Sequence, residues 1–110
     1  MVPEIDVHTF AAAHAGGEFV LDVREPFEYA AAHVPGAQLM PMAQVHARTD
    51  ELPRDEPVYV ICASGNRSYT AAGWLRNAGI DAVSVAGGTG GWAVQGRPLA
   101  RGADSDSPAA

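Results

Sequence analysis

The sequence predicts a single α/β domain built on a mainly parallel sheet with helices packed on its faces. Three observations carry that expectation. The 110 residues are the length of one domain, and 47% hydrophobic with 18% charged residues is an ordinary globular composition. Apolar, β-branched runs at residues 18–23, 57–62 and 81–85 are nearly continuous in apolar character, as strands covered on both faces require. Amphipathic or alanine-rich segments lie between them, and strand–helix–strand repetition implies parallel strands joined by right-handed crossovers.

Taken in order, residues 4–5 are a weak strand candidate. Residues 7–15 read as a helix with Asp6 as N-cap, stopping at Gly16-Gly17. The strand at 18–23 follows. A helix over 26–32 has Pro26 near its first position and ends before Val34-Pro35-Gly36. Residues 37–40 are a second weak strand candidate, and 43–48 a short helix. After the strand at 57–62, the best helix runs over 67–78. There Ala71, Trp74, Leu75 and Ala78 recur at helical spacing, with Gly79 where a left-handed cap belongs. The strand at 81–85 precedes a short helix over 90–94. Residues 1–100 are therefore expected to form the domain, and 101–110, rich in Gly, Asp, Ser, Pro and Ala, to be disordered. The tetrapeptide Ala-Ala-Ala-His occurs at 11–14 and 30–33 without matching flanks, which reflects alanine abundance and not a repeat.

Composition excludes several chemistries. Thirteen acidic against seven basic residues give a net charge of −6, which argues against nucleic acid and anionic membrane surfaces as partners. All seven basic residues are arginine, so lysine-dependent phosphate loops, Schiff bases and lysine general bases are out. A lone cysteine, Cys62, can form neither an internal disulfide nor a zinc site of paired thiolates. His8, His14, His33 and His46 lack metal-ligand spacing, so no metal is expected, and His33 reads as bracing a loop. Residues 88–93 match a dinucleotide-binding glycine pattern but have no βαβ unit after them, and that reading is rejected. Trp74 and Trp92 read as core. Residues 1–10 lack a basic flank and an apolar run, and no stretch reaches the ~20 apolar residues of a membrane span, so a cytoplasmic setting is expected.

Cys62 is the informative residue. It ends the most strand-like run, and Ala63, Ser64, Gly65, Asn66, Arg67 and Ser68 lead from it straight into the best helix. Sites in open parallel sheets form at the carboxyl ends of strands. A loop entering a helix gathers unpaired N–H groups which, with the helix dipole and Arg67, favour thiolate over thiol. Gly65 permits the tight backbone such a cradle needs. Asp22 and Arg24 end a strand on the same side of the sheet and are expected to brace the site. Ser68 is expected to support the helix start.

Residues 21–29 contain Asp22-Val23-Arg24 followed by glutamate and an aromatic, and then come Ala32-His33-Val34-Pro35-Gly36-Ala37. With Cys62-x-x-Gly65-x-Arg67-Ser68, Gly87-Gly88, Trp92, Gly96 and Pro98 in the same order, the chain resembles the rhodanese (Cdc25-type) homology family over about residues 5–99. The resemblance implies a three-layer sandwich around a five-stranded, mainly parallel sheet. It also implies sulfur transfer: Cys62 attacks a sulfane-sulfur donor such as thiosulfate, becomes a persulfide, and passes the outer sulfur to cyanide or a thiol. The amides of residues 63–68 would cradle the anion, and no cofactor is called for. Arg67 is left with two roles, contact with the donor or an ion pair with an acid such as Asp22 or Glu28. Ala32 replaces the usual glycine before the histidine. Ala63 stands where many thiosulfate-using members carry arginine, so weak thiosulfate affinity, or another donor, is expected.

Rival readings are a non-catalytic protein-binding or sulfur-carrier module and a phosphatase or arsenate reductase of the same fold. A cysteine phosphatase needs Cys-x5-Arg to enclose a phosphate; here the spacing is Cys-x4-Arg, with Ser68 in the required place. The retained Cys62 and Gly65 favour activity over docking alone, while a protein sulfur acceptor stays compatible.

Overall fold

The structure, a computed structural model, describes residues 1–103. Five strands, β1 (Glu4–Asp6), β2 (Phe19–Asp22), β3 (Gln38–Leu39), β4 (Val58–Ile61) and β5 (Ala82–Ala86), form one sheet in the order β1-β5-β4-β2-β3. Every pairing is parallel, from Glu4 opposite Ser84 at one edge to Asp22 opposite Leu39 at the other. The single antiparallel bridge among the described residues joins His33 to Ala100 outside the strands.

Among the described residues, α1 (Val7–Ala15), α2 (Pro26–Ala31) and α3 (Asn66–Asn77) connect strands, and α4 (Gly88–Val94) follows β5. Asp6 caps α1 by accepting from the Thr9 amide at 2.7 Å. In α2, Pro26 occupies the first turn, and Glu25 and Glu28 form a reciprocal capping box. Gly79 follows α3 at φ 87°, the left-handed conformation that ends it.

Alternation along the strands divides the core. Leu21, Val23, Val58, Val60, Cys62 and Ala82 pack with Ala71, Ala72 and Leu75 of α3 on one face. Val20, Ile61 and Val85 pack with Phe10, Tyr29 and Trp92 of the other helices on the opposite face. Val58, Val60 and Ile61 are fully buried, which is why β4 reads as an unbroken apolar run.

Two helix expectations need correction. The short α-helix expected over 43–48 is replaced by two 3-10 segments, Met42–Gln44 and His46–Glu51, kinked at Arg48 (φ −122°). Met42 and Val45 lie three residues apart against the core, a spacing that suits three residues per turn. The last helix begins at Gly88, not at 90, because its first amides are satisfied by the cysteine loop instead of by a cap. Of residues 101–110, expected to be disordered, 101–103 are described, and there Gly102 donates to the Ala30 carbonyl at 2.8 Å. Residues 104–110 lie outside the described residues. No helix among those described is long and apolar enough to cross a membrane.

Candidate active site

Cys62 follows β4 at its carboxyl end, at the centre of the sheet, and its loop turns directly into α3. Gly65 closes the turn at φ 114°, where an L side chain would be strained. Its Cα is also packed against the backbone of Ala86 and Gly87, so an added Cβ would meet both at 3.3–3.4 Å. The turn brings the Gly65 amide to 3.1 Å from Cys62 Sγ. Ser68, in the first turn of α3, places its hydroxyl 3.5 Å from the same sulfur.

Cys62 is 1% exposed. Burial pushes its thiol pKa up, but hydrogen bonds from the Ser68 hydroxyl and from the Ser68, Gly65 and Ser64 amides outweigh this, and the net displacement is downward. Ser68 is itself held: its hydroxyl donates to the Gly65 carbonyl at 3.1 Å and lies 2.9 Å from the Ser84 hydroxyl on β5.

The carbonyls of this loop point the other way. Those of Cys62, Ala63 and Ser64 accept from the amides of Thr89, Gly90 and Gly87 at 2.8, 2.9 and 3.1 Å. Gly88 sits so close beneath that a Cβ would overlap the Cys62 carbonyl oxygen and stand 2.7 Å from that of Ala63. The start of α4 is thus a clamp on the outer side of the cysteine loop. It fixes the peptide planes whose N–H groups face the sulfur.

Arg67 is paired with an acid. Its two terminal nitrogens donate bidentately to Glu28 at 2.8 and 2.9 Å, and this pair holds the Glu28 carboxyl down at about 2. Of the two roles left open for Arg67, the geometry shows the ion pair, with Glu28 and not Asp22 as partner. Asp22 is taken by Arg24, whose guanidinium donates to both carboxylate oxygens at 2.9–3.2 Å and to the Ala32 carbonyl at 2.7 Å. Both residues of that pair are buried. His33 is fully buried, with Nδ1 2.8 Å from the Tyr29 carbonyl and its ring stacked on Tyr29 at 3.7 Å. Trp92 is buried; Trp74 is partly buried against the core and packs on His46.

Beside the loop lies a cleft of about 450 Å³, with Ala63, Arg24, Glu28 and Phe27 among its walls. A second cavity of about 370 Å³ runs along β2 and β3 and includes no residue of the cysteine loop. No group of three His, Cys, Asp or Glu side chains among the described residues is arranged to hold a metal ion.

Sequence reasoning did not find Ser84 and Gly88. Ser84 sits in a run whose alternation signals only burial, and its meeting with Ser68 is long-range. The Gly87-Gly88 doublet belonged to the resemblance, but nothing local showed that a Cβ at the second position would strike the cysteine loop.

A cysteine loop at the end of a central parallel strand, opening into a helix and buttressed by a glycine doublet, defines an α/β domain with a buried thiol facing backbone amides. Residues 6–95 match the family model for the rhodanese-like domain, and the chain belongs to that family. A sulfurtransferase of Allochromatium vinosum is 38% identical over 102 residues, 90% of this chain and 95% of the relative. A putative sulfur carrier protein, YrkF of Bacillus subtilis, is 38% identical over 84 residues, but these are 74% of this chain and 45% of that protein. The crystal structure of a rhodanese-related protein from Thermoplasma volcanium superposes with a TM-score of 0.81 at 33% identity, covering 88% of this chain and 96% of the other.

Proposed function

We propose that this chain is a sulfurtransferase that carries sulfane sulfur as a Cys62 persulfide, in a reducing cytoplasmic setting. One observation carries the reading: Sγ accepts from the Gly65 amide at 3.1 Å and lies 3.5 Å from the Ser68 hydroxyl, in a loop whose hydrogen bonds lower the thiol's pKa. A thiol displaced in that direction ionises more readily than a free cysteine, and the thiolate is the attacking species. The family membership and the sulfurtransferase among its relatives support the same reading.

In the first step the thiolate attacks the outer sulfur of a donor. Its electron pair forms the new S–S bond, and the old bond breaks with its pair leaving on the departing group, sulfite in the case of thiosulfate. The persulfide left on Cys62 is anionic, and the amides of Ser64, Gly65 and Ser68 would solvate it as they do the thiolate. In the second step an acceptor thiolate or cyanide attacks the terminal sulfur and restores Cys62. No second cysteine exists in the chain, so no internal thiol can take that sulfur.

Ser68 has one hydroxyl proton to give. With the thiol protonated, S–H donates to Ser68 Oγ and that hydroxyl donates to the Gly65 carbonyl. When Cys62 ionises, the hydroxyl turns its proton to sulfur, while Ser84 stays within reach at 2.9 Å. Glu28 and Asp22 hold Arg67 and Arg24 as braces of the loop and of the chain entering the cleft.

Intact-mass measurement after incubation with thiosulfate tests the proposal. The expected result is a gain of one sulfur atom that cyanide removes and that Cys62→Ser lacks. A folded protein that loads from none of thiosulfate, mercaptopyruvate and an organic persulfide would overturn it. Delivery to a protein acceptor uses the same persulfide, and a relative described as a putative sulfur carrier supports that variant of the reading.

A further inference from the structure

With Cys62 almost fully covered, the body of any sulfur compound that reacts there must lie outside the loop. The cleft beside Ala63 is the space that adjoins it. Arg24 lines this space and Arg67 is paired with Glu28 of its wall, so both arginines are already ion-paired. Arg24 spends its donors on Asp22 and the Ala32 carbonyl, and Arg67 spends its two terminal nitrogens on Glu28. Glu28 is fixed from its other side as well, because its Oε1 accepts from the Glu25 amide at 3.0 Å. Ala63 brings no charge. Opposite these groups the cleft is walled by alanines, Leu99 and Phe27, whose side chain is left 75% exposed.

We infer that Glu28 selects the sulfur donor: by holding Arg67 it leaves a neutral, apolar-walled cleft that favours an organic persulfide over the thiosulfate dianion. This rests on the reading of Cys62 as a sulfur-accepting nucleophile. An organic persulfide carries at most one negative charge and reacts in its protonated form, R–S–SH, laying its apolar body against Phe27 and presenting its terminal sulfur to Cys62. The thiolate's electron pair forms the new S–S bond, the old bond breaks with its pair on sulfur, and R–S⁻ departs. The sulfane sulfur moves without change of oxidation state, so no external oxidant or reductant enters. A dianion entering the same cleft finds no uncommitted cation to offset the hydration it gives up, and withholding such a partner is a recognised way of rejecting a competing ligand.

The test compares rates of sulfur loading on Cys62, read by intact mass at low ionic strength, from thiosulfate and from benzyl persulfide. The wild-type chain is expected to load from benzyl persulfide about tenfold faster or more. Glu28→Gln keeps the acceptor for the Glu25 amide and removes the charge that neutralises Arg67. The persulfide-to-thiosulfate ratio should then fall by about tenfold, through a gain on thiosulfate that shrinks at high salt. That gain should vanish in the double variant Glu28→Gln, Arg67→Met. Phe27→Ala, a truncation at an exposed position that does not endanger folding, should lower the ratio by slowing persulfide loading. A wild-type preference for thiosulfate overturns the assignment. So does a ratio that stays within about twofold of wild type in both single variants. Loading from neither donor by the folded wild-type protein overturns the sulfur-transfer reading itself, a failure distinguishable from loss of selectivity alone.

Discussion

Ser68 shows how much chemistry a single hydroxyl can hold. It touches the Cys62 sulfur, the Gly65 carbonyl and the Ser84 hydroxyl, so it links the thiol to the loop's backbone and to β5. Ser68→Ala should raise the pH midpoint for alkylation of Cys62 by iodoacetamide, since burial then acts with one opposing donor fewer. Sulfur loading at slightly acid pH should slow by about tenfold or more, as expected for losing a hydrogen bond to a charged group. A purely structural serine would lower stability and leave the midpoint where it was. The sequence made Cys62, Gly65 and Arg67 visible because their spacing lies within one loop. It could not choose a partner for Arg67: Glu28 lies 39 residues away and meets it only when α2 and the cysteine loop come together at one end of the sheet.

Among the elements, α4 departs most from what its sequence announces. Its glycines look like a phosphate-binding turn, yet the amides of Gly87, Thr89 and Gly90 are engaged with three successive carbonyls of the cysteine loop. Gly88→Ala should therefore cost about 2–3 kcal/mol in urea-monitored stability, from overpacking and from the positive φ of 57°. It should also slow sulfur loading by about tenfold or more in the protein that remains folded, because displaced carbonyls tilt the donors that face sulfur. Unchanged loading in that variant would show that the clamp serves only to close the fold. Helices α1, α2 and α3 were legible from local signals: the Asp6 cap, Pro26, and the apolar spacing closed by Gly79. Residues 42–51 were not, because 3-10 segments carry no strong sequence signature and this one takes its shape from packing against the core.

At the scale of the whole molecule, the net charge of −6 slows the approach of any anionic donor before the cleft is reached. Stability should respond to pH through Glu28. Its carboxyl titrates at about 2 in the folded chain against an ordinary 4.5, chiefly because of Arg67. The unfolded chain therefore takes up this proton first as pH falls. The stabilisation is complete above about 4.5 and is lost progressively on the way down to about 2. Arg67 is partly open to solvent, with its side chain 37% exposed, so the pair is worth only about 1 kcal/mol after screening. Melting temperatures measured across this window should fall more steeply with acid in the wild type than in Glu28→Gln. Parallel curves would show that the pair contributes nothing to folding.

The position of β5 sets an order of assembly. It is among the last elements of the described chain, yet it lies inside the sheet, between β1 and β4. It brings Ser84 to Ser68 and is followed at once by the amides that clamp the cysteine loop. During synthesis Cys62 and the donors of residues 64–68 are therefore made well before the residues that hold them in place. Until residues 82–90 arrive, β1 has no strand to pair with and the loop carbonyls have no partners in α4. The folded shape of the cysteine loop thus depends on residues made some twenty or more positions after it.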